Sequence, residues 1–227
     1  MIDIHTHILP GVDDGPSDIE ESLRIIEKGM NAGIKTFVLT PHIRDDSDWN
    51  KIGRIKEAFS RLKRECAARG LDAHLLLGAE LLLIPSLPEK VMDNTSVIIN
   101  GKGRYVLVEL PFSQMPIYTE DVLFKLLMMR VVPIIAHPER YDYINGEGDV
   151  VKKWVDNGVM LQVNTGSLRG QYGMRVKRLA RNLLKKRLVH FLGSDVHSLD
   201  DCLSFSPEMI MIASNIACRD VTLQSSG

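Results

Sequence analysis

Short runs of apolar and β-branched residues alternate along the chain with stretches whose apolar positions recur every three to four residues. That alternation predicts parallel strands joined by crossover helices, an α/β fold with a mostly parallel sheet. Ile2-Asp3-Ile4 reads as a first short strand. Ser17 with Glu20 forms a capping-box pattern opening a helix to about Ala32, where Gly33 ends it. Ile34 to Thr40 is a second strand, Asp48 to Arg69 a helix closed by Gly70, and Ala73 to Ala79 a third strand. A turn of helix near Leu87 to Met92 precedes the fourth strand, Tyr105 to Leu110. Thr119 caps a helix to about Arg130, Val131 to Ala136 is the fifth strand, Gly148 to Asn157 a short helix, and Val159 to Val163 the sixth strand. Between Met174 and Arg187, Val176, Leu179, Ala180, Leu183 and Leu184 share one helix face, with basic residues opposite. Val189 to Leu192 is the seventh strand, and Pro207 starts a last helix to about Cys218.

A chain of 227 residues, 44% hydrophobic, suits one α/β barrel domain over residues 1–218 with a short polar tail, 219–227. No repeat or linker divides it. The formal net charge of -1 gives no footprint for nucleic acid, and no basic groove with interleaved aromatics suggests a nuclease. Cys66, Cys202 and Cys218 have no ligand or disulfide spacing, which fits a reducing, cytoplasmic setting. The start enters a strand with no basic region and apolar core of a leader. The longest apolar stretch, around Leu75 to Ile84, is broken by Gly78 and Glu80, short of the roughly 20 residues of a membrane span.

Metal-capable side chains stand at six of the seven expected strand ends. They are His5 and His7 after the first, His42 after the second, Glu80 after the third and Glu109 after the fourth. His137 follows the fifth, and Asp195 and His197 the last. Parallel α/β barrels gather their functional groups at the carboxyl ends of strands. Each residue alone has an ordinary reading: His42 and His137 neighbour prolines, and Glu80 and Glu109 sit where apolar strands emerge. Together at one mouth they would repel unless cations neutralised them. Asn164, at the remaining end, reads as a hydrogen-bonding support. In the loop before the first helix Asp14 is the better ligand, since Asp13 could instead make an Asx turn or bond helix amides. Histidine and carboxylate without cysteine suit manganese, iron or zinc.

With these residues assembled, the chain resembles the polymerase and histidinol phosphatase (PHP) family, specifically its bacterial capsule and exopolysaccharide tyrosine-phosphatase branch. The motifs that carry the likeness run from His5-Thr6-His7-Ile8-Leu9-Pro10-Gly11-Val12-Asp13-Asp14-Gly15 through Thr40-Pro41-His42 and Gly78-Ala79-Glu80 to Val108-Glu109-Leu110-Pro111. They continue with Ala136-His137-Pro138-Glu139-Arg140-Tyr141, Gln162-Val163-Asn164-Thr165-Gly166-Ser167 and Gly193-Ser194-Asp195-Val196-His197. The resemblance implies a distorted seven-stranded β/α (TIM-like) barrel with two or three divalent ions, usually manganese. By that likeness His5, His7, Glu80 and Asp195 would hold one ion, Glu80, Glu109 and His137 a second, and Asp14, His42 and His197 a third. Glu80 would bridge two ions and act as a catalytic residue. Arg140 matches a phosphate-contacting, catalytic arginine, and Arg44 is a further candidate for substrate binding. The implied substrate is phosphotyrosine on the tail of a bacterial tyrosine autokinase. Two departures stand out: Ile43 where relatives have a second histidine, and Cys202 near a usual arginine.

The expected chemistry is in-line phosphoryl transfer to a water activated by metal. A cysteine mechanism is excluded by spacing, since Asp72, Glu208 and Gln224 stand where a C-x5-R loop needs arginine. Two other readings remain at this point. One is a PHP phosphatase for a small phosphomonoester such as a sugar phosphate or histidinol phosphate; the other is a non-catalytic protein that binds the kinase tail. The basic residues from Arg175 to Arg187 read either as a solvated helix face or as a site for an acidic partner.

Overall fold

Each of the seven apolar runs supplies a strand, and two short further strands follow the second and third. The computed structural model describes residues 1–101, 103–145 and 149–201. Gly148, Cys202, the helix expected from Pro207 to Cys218 and the tail 219–227 lie outside the described residues. The strands are β1 (Ile2–Thr6), β2 (Thr36–Leu39), β3 (His42–Ile43), β4 (His74–Leu77), β5 (Glu80–Leu82), β6 (Tyr105–Glu109), β7 (Val132–Ile135), β8 (Met160–Asn164) and β9 (Phe191–Gly193). The helices are α1 (Ile19–Asn31), α2 (Asp46–Trp49), α3 (Ile52–Ala68), α4 (Leu87–Asp93), α5 (Thr119–Met128), α6 (Asp149–Asp156), α7 (Thr165–Arg169) and α8 (Gly173–Lys185).

All strand pairs are parallel, in a three-stranded sheet β1-β2-β4 and a six-stranded sheet β3-β5-β6-β7-β8-β9. The second and third expected strands, Ile34 to Thr40 and Ala73 to Ala79, lie in the first sheet as β2 and β4, and just past their ends the short strands β3 and β5, which the sequence pattern did not predict, join the second. Pro41 has no N–H for a ladder bond, and past it the chain pairs with a new neighbour, His42 opposite Glu80. The last strand's exit returns to the first through a parallel bridge, Thr6 with Val196, and His5 O accepts from Asp195 N at 2.9 Å.

Several local boundaries differ from the sequence expectation. α1 is capped by Asp18, whose carboxylate accepts from Glu21 N at 2.9 Å, and not by Ser17. An ionised cap complements the helix N-terminus better than a hydroxyl, and Glu20 is left to pair with Arg69 at the end of α3. The single helix expected from Asp48 is two, α2 capped by Asp45 and then α3. Thr119 is the first residue of α5 and not its cap; its hydroxyl donates to Pro116 O at 2.7 Å. His5 lies inside β1, which runs two residues past Ile4.

Strand residues alternate between two cores. Phe37, Leu39, Val106, Val108, Leu161 and Val163 pack with helix residues such as Leu23, Ile26 and Leu62. The opposite face buries a smaller cluster of Ile4, Val38, Ile99, Leu107, Ile134 and Ala136, edged by Tyr105, Met160 and Phe191. Period-2 alternation extends this inner face to the site: Tyr105 and Leu107 lead to Glu109, Met160 to Gln162 and Asn164, and Phe191 to Gly193. Cys66 is a free thiol buried on α3, and burial pushes its pKa up to about 11. Among the described residues no helix is long and apolar enough to cross a membrane.

Helix α1 meets the sheet at Gly29, where an added Cβ would fall 2.7 Å from the Phe37 ring. Phe37 is fully buried, so the ring has nowhere to retreat. An alanine in a helix interior ordinarily gains up to about 1 kcal/mol over glycine. Here overpacking reverses the sign, and Gly29→Ala should destabilise by about 1–3 kcal/mol in urea unfolding at unchanged m-value. A midpoint at or above wild type would show that the helix is not held this close.

Candidate metal centre

All nine expected ligands converge. His7, Asp14, His42 and His197 form one group, His5, His7 and Glu80 a second, His5, His137 and Asp195 a third, and His42, Glu80 and Glu109 a fourth. Within each group the candidate donor atoms lie within 4.8 Å of one another. Glu80 stands at the centre. Its Oε2 is 3.3 Å from the Nε2 atoms of both His5 and His7 and 2.9 Å from His42 Nδ1, while Oε1 is 3.0 Å from His137 Nε2. Its two oxygens therefore face different ligand groups.

The strand geometry explains the convergence. His5 and His7 are two residues apart in extended backbone and project to one side. Parallel register sets His42 beside Glu80. His137 and Asp195 occur just past β7 and β9 with φ of 31° and 56°, left-handed conformations that histidine and aspartate adopt more readily than most residues and that turn each side chain off its strand direction. Gly193 lets β9 approach closely, because a Cβ there would lie 2.6 Å from His5 Cβ and 2.8 Å from Gln162 Nε2.

A hydrogen-bond relay assigns the imidazole lone pairs. The Asp195 Oδ2 carboxylate oxygen accepts from Asn164 Nδ2 at 2.7 Å, so Asn164 Oδ1 accepts from Gln162 Nε2 at 2.8 Å. Gln162 Oε1 is then an acceptor, and His5 Nδ1 must donate to it at 2.9 Å. Asp13 Oδ2 likewise takes the proton of His7 Nδ1 at 2.9 Å, and Asp195 O that of His197 Nδ1 at 2.9 Å. Each neutral ring consequently presents an Nε2 lone pair. His5 Nε2 and His7 Nε2 face each other at 3.0 Å, and both lie 3.4 Å from Asp195 Oδ1. Lone pairs and carboxylates aimed at one buried point need a cation among them. His42 Nδ1 and Glu80 Oε2 make no hydrogen bond despite their proximity. This donor set fits divalent metal.

The electrostatics agree. Burial alone would depress His5, but the Glu80 and Asp195 carboxylates lift its pKa to about 9. His7 is raised well above the ordinary value against the same burial, chiefly by Asp13. Burial would raise Glu80, yet His5 and the neighbouring imidazoles hold it well below the usual carboxylate range. Asp195 is lowered the same way against burial, by His5 and His7. Glu109 is raised, by burial and then by Glu80. His197 is lowered, by burial and then by His7. A field that holds protons on these rings would hold a metal ion in their place.

Burial is graded across the cluster. The side chains of His5 and Glu80 are 0% exposed, whereas Asp14 is 52% and His197 28% exposed. Arg44 lies at this open end, with Nη2 2.6 Å from His42 Nε2 and 3.6 Å from Asp14 Oδ2. Arg140 Nη1 donates to Asp195 Oδ2 at 2.8 Å, and its guanidinium lies over the Phe112 ring at 4.9 Å and the Tyr172 ring at 4.4 Å. Phe112 also stacks on His137 at 5.6 Å.

Sequence reasoning missed the supports more than the ligands. Asp13 does make the expected Asx-type bond with Gly15 N at 3.2 Å, but also holds His7 and accepts from His42 N at 3.1 Å. Gln162 holds both His5 and His137 N, the latter at 3.3 Å. Buried Glu139 ties the turn after His137 to Asn164 N and Ser167 Oγ. The available signal was the alternation of Gln162 with Asn164 on an otherwise apolar strand. Asn164 takes the supporting place expected of it.

Fold and site together define a class: a parallel α/β protein whose strand ends gather a histidine and carboxylate set suited to metal binding. A family model described as "Capsular polysaccharide synthesis, CpsB/CapC" matches residues 1–219, and the chain belongs to that family. It is 33% identical over 226 residues to tyrosine-protein phosphatase CpsB of Streptococcus agalactiae, covering 97% of this chain and 90% of that protein. It is 31% identical over 199 residues to tyrosine-protein phosphatase YwqE of Bacillus subtilis (strain 168), covering 88% and 78%. A solved structure superposes with a TM-score of 0.82 at 28% identity, over 96% of this chain and 93% of that one. It comes from crystal structures of YwqE from Bacillus subtilis and CpsB from Streptococcus pneumoniae, described as unique metal-dependent tyrosine phosphatases.

Because Gln162 fixes the tautomer of His5, Gln162→Met should weaken metal binding by roughly 10–100-fold while the protein still folds. Metal content after dialysis against graded chelator, read beside a thermal melt, measures this. Unchanged retention would leave the relay without a role in holding the ligands.

Proposed function

We propose that this chain is a metal-dependent protein-tyrosine phosphatase acting on a bacterial tyrosine kinase of capsule or exopolysaccharide synthesis. The observation that carries the proposal is the convergence of fixed lone pairs from His5, His7 and His197 with the Glu80 and Asp195 carboxylates beside Arg140. The names of the relatives support the same substrate class. His5, His7, Glu80 and Asp195 would hold one ion, Glu80, Glu109 and His137 a second, and Asp14, His42 and His197 a third, with manganese the best suited metal. Glu80, whose two oxygens face different imidazoles, would serve both of the first two sites. We read the two sheets as one distorted seven-stranded barrel, supported by the Thr6–Val196 bridge, in a single cytoplasmic domain.

When bound, the divalent ions supply Lewis-acid charge and lower the pKa of water to near neutrality. The protein's own part is orientation and charge. The closed end at His5 and Glu80 excludes bulk water, and the phosphate enters from the open side near Asp14, His197 and Arg44. Arg140 commits one of its five N–H donors to Asp195 and has others left for the equatorial phosphate oxygens, its guanidinium packed against Phe112 and Tyr172. Arg44, beside His42 and Asp14 at the open end, would add a second cation for substrate binding. A departing phenol with pKa near 10 needs no strong general acid. The buried thiol of Cys66 is no nucleophile.

Chelation should abolish hydrolysis and manganese should restore it better than magnesium, because imidazole-rich sites suit a transition metal. A panel of phosphotyrosine peptides against sugar phosphates and histidinol phosphate should give the higher kcat/KM for the peptides. Turnover that persists in excess chelator, or that favours the small esters, would overturn the assignment.

Arg140→Ala should lower kcat/KM for phosphotyrosine by about tenfold to a hundredfold, the weight of one charge-assisted hydrogen bond of roughly 1.5–3 kcal/mol. Arg140→Lys should recover only part, since an ammonium lacks the planar fork. Wild-type steady-state kinetics in both variants would remove Arg140 from phosphate binding.

A further inference from the structure

The metal centre leaves unused the most lopsided charge distribution in the sequence. No acidic residue occurs between Asp156 and Asp195, and residues 169–187 contain eight Lys and Arg, although the whole chain has a net charge of -1. The rest of the chain is correspondingly acidic. In α8 the apolar residues Val176, Leu179, Ala180 and Leu183 are buried, which turns Arg178, Arg181 and Lys185 outward. These three recur at i, i+3 and i+7, on one stripe about 10 Å long at about 1.5 Å per residue. None of the three forms an ion pair among the described residues.

The stripe begins at the active site. Tyr172, just before α8, lies against the Arg140 guanidinium. Arg175, one turn before Arg178, donates to Tyr141 O at 3.2 Å and to Arg140 O at 3.4 Å. A chain segment held at Arg140 can therefore continue along Arg178, Arg181 and Lys185. An extended peptide rises about 3.3 Å per residue, so the stripe spans about three residues of such a segment.

We infer that the exposed basic face of α8 docks an acidic stretch next to the phosphotyrosine of the protein substrate, an inference that rests on the phosphatase reading. Charge complementarity selects this occupant. A segment rich in Asp and Glu is attracted to this face and repelled by the acidic remainder of the molecule, which orients its phosphotyrosine toward Arg140.

The test compares two fluorescein-labelled phosphotyrosine peptides, identical except for four Glu residues in one and four Gln in the other. Manganese-loaded wild type should show roughly tenfold higher kcat/KM for the Glu peptide at about 0.01 M ionic strength, and lose the preference at about 1 M, where the Debye length falls to about 3 Å. The triple variant Arg178→Glu, Arg181→Glu, Lys185→Glu should lose the preference and keep wild-type rates on the Gln peptide and on p-nitrophenyl phosphate. The variant with Gln at all three positions should fall between, and thermal melts confirm that both fold. Anisotropy of the Glu peptide on the metal-free protein reads docking without turnover. Binding that prefers Glu with no hydrolysis of either peptide sinks the phosphatase reading alone. Equal affinity and kcat/KM for the two peptides in wild type, or a preference that survives charge reversal, overturns the docking surface. Binding to phosphatidylserine vesicles without any peptide preference also overturns it and assigns the face to a lipid surface.

Discussion

Two imidazole lone pairs and two carboxylates aimed at one buried point repel each other unless positive charge lies among them. His5 Nε2, His7 Nε2, Glu80 Oε2 and Asp195 Oδ1 are in that position, with separations of 3.0 to 3.4 Å. Without an ion the field is met by protons, which is why His5 and His7 are lifted above their ordinary values against their burial. Much of the surrounding architecture serves to hold these groups where they would otherwise separate.

Three devices hold them. Parallel register brings His42 beside Glu80, and the close approach at Gly193 brings β9 against His5. Left-handed backbone at His137 and Asp195 turns two candidate ligands just past their strands, and hydrogen bonds at Glu139 and Ser194 hold those turns. The relay from Asp195 through Asn164 and Gln162 to His5 then sets a tautomer as well as a position. Removing any member leaves a buried polar atom unpaired, so the network is conformationally stiff.

The gradient of burial gives the cluster a direction. Its inner end is closed by apolar side chains on the period-2 face of β6 and β8, and its outer end opens to solvent at half-exposed Asp14 and Arg44. Arg140 stands between, fixed by two aromatic rings and an ion pair, so little rotamer freedom is left to lose when an anion arrives. Chemistry that depends on charge and orientation, with no covalent protein nucleophile, is suited by such a site.

The alternation of strands and helices was legible in the sequence, and so were the nine residues that the fold brings together, eight from strand-end positions and Asp14 from the loop before α1, because position and metal-capable residue type are both local properties. The sequence also showed the basic face of α8, since helical period separates Arg178 and Arg181 from Val176 and Leu179. Local signals failed where two residues competed for one role, as Asp18 did with Ser17 at the cap of α1, and where Pro41 passed the chain from one sheet to the other. Only the tertiary structure decided which ligands share a point, which ring nitrogen each imidazole presents, and that Asp13 and Gln162 hold them. Those outcomes depend on contacts such as His5 with Gln162, 157 residues apart. Pattern along a chain fixes which face a side chain occupies, but the direction of a hydrogen bond is set by partners that only the folded chain brings within 3 Å.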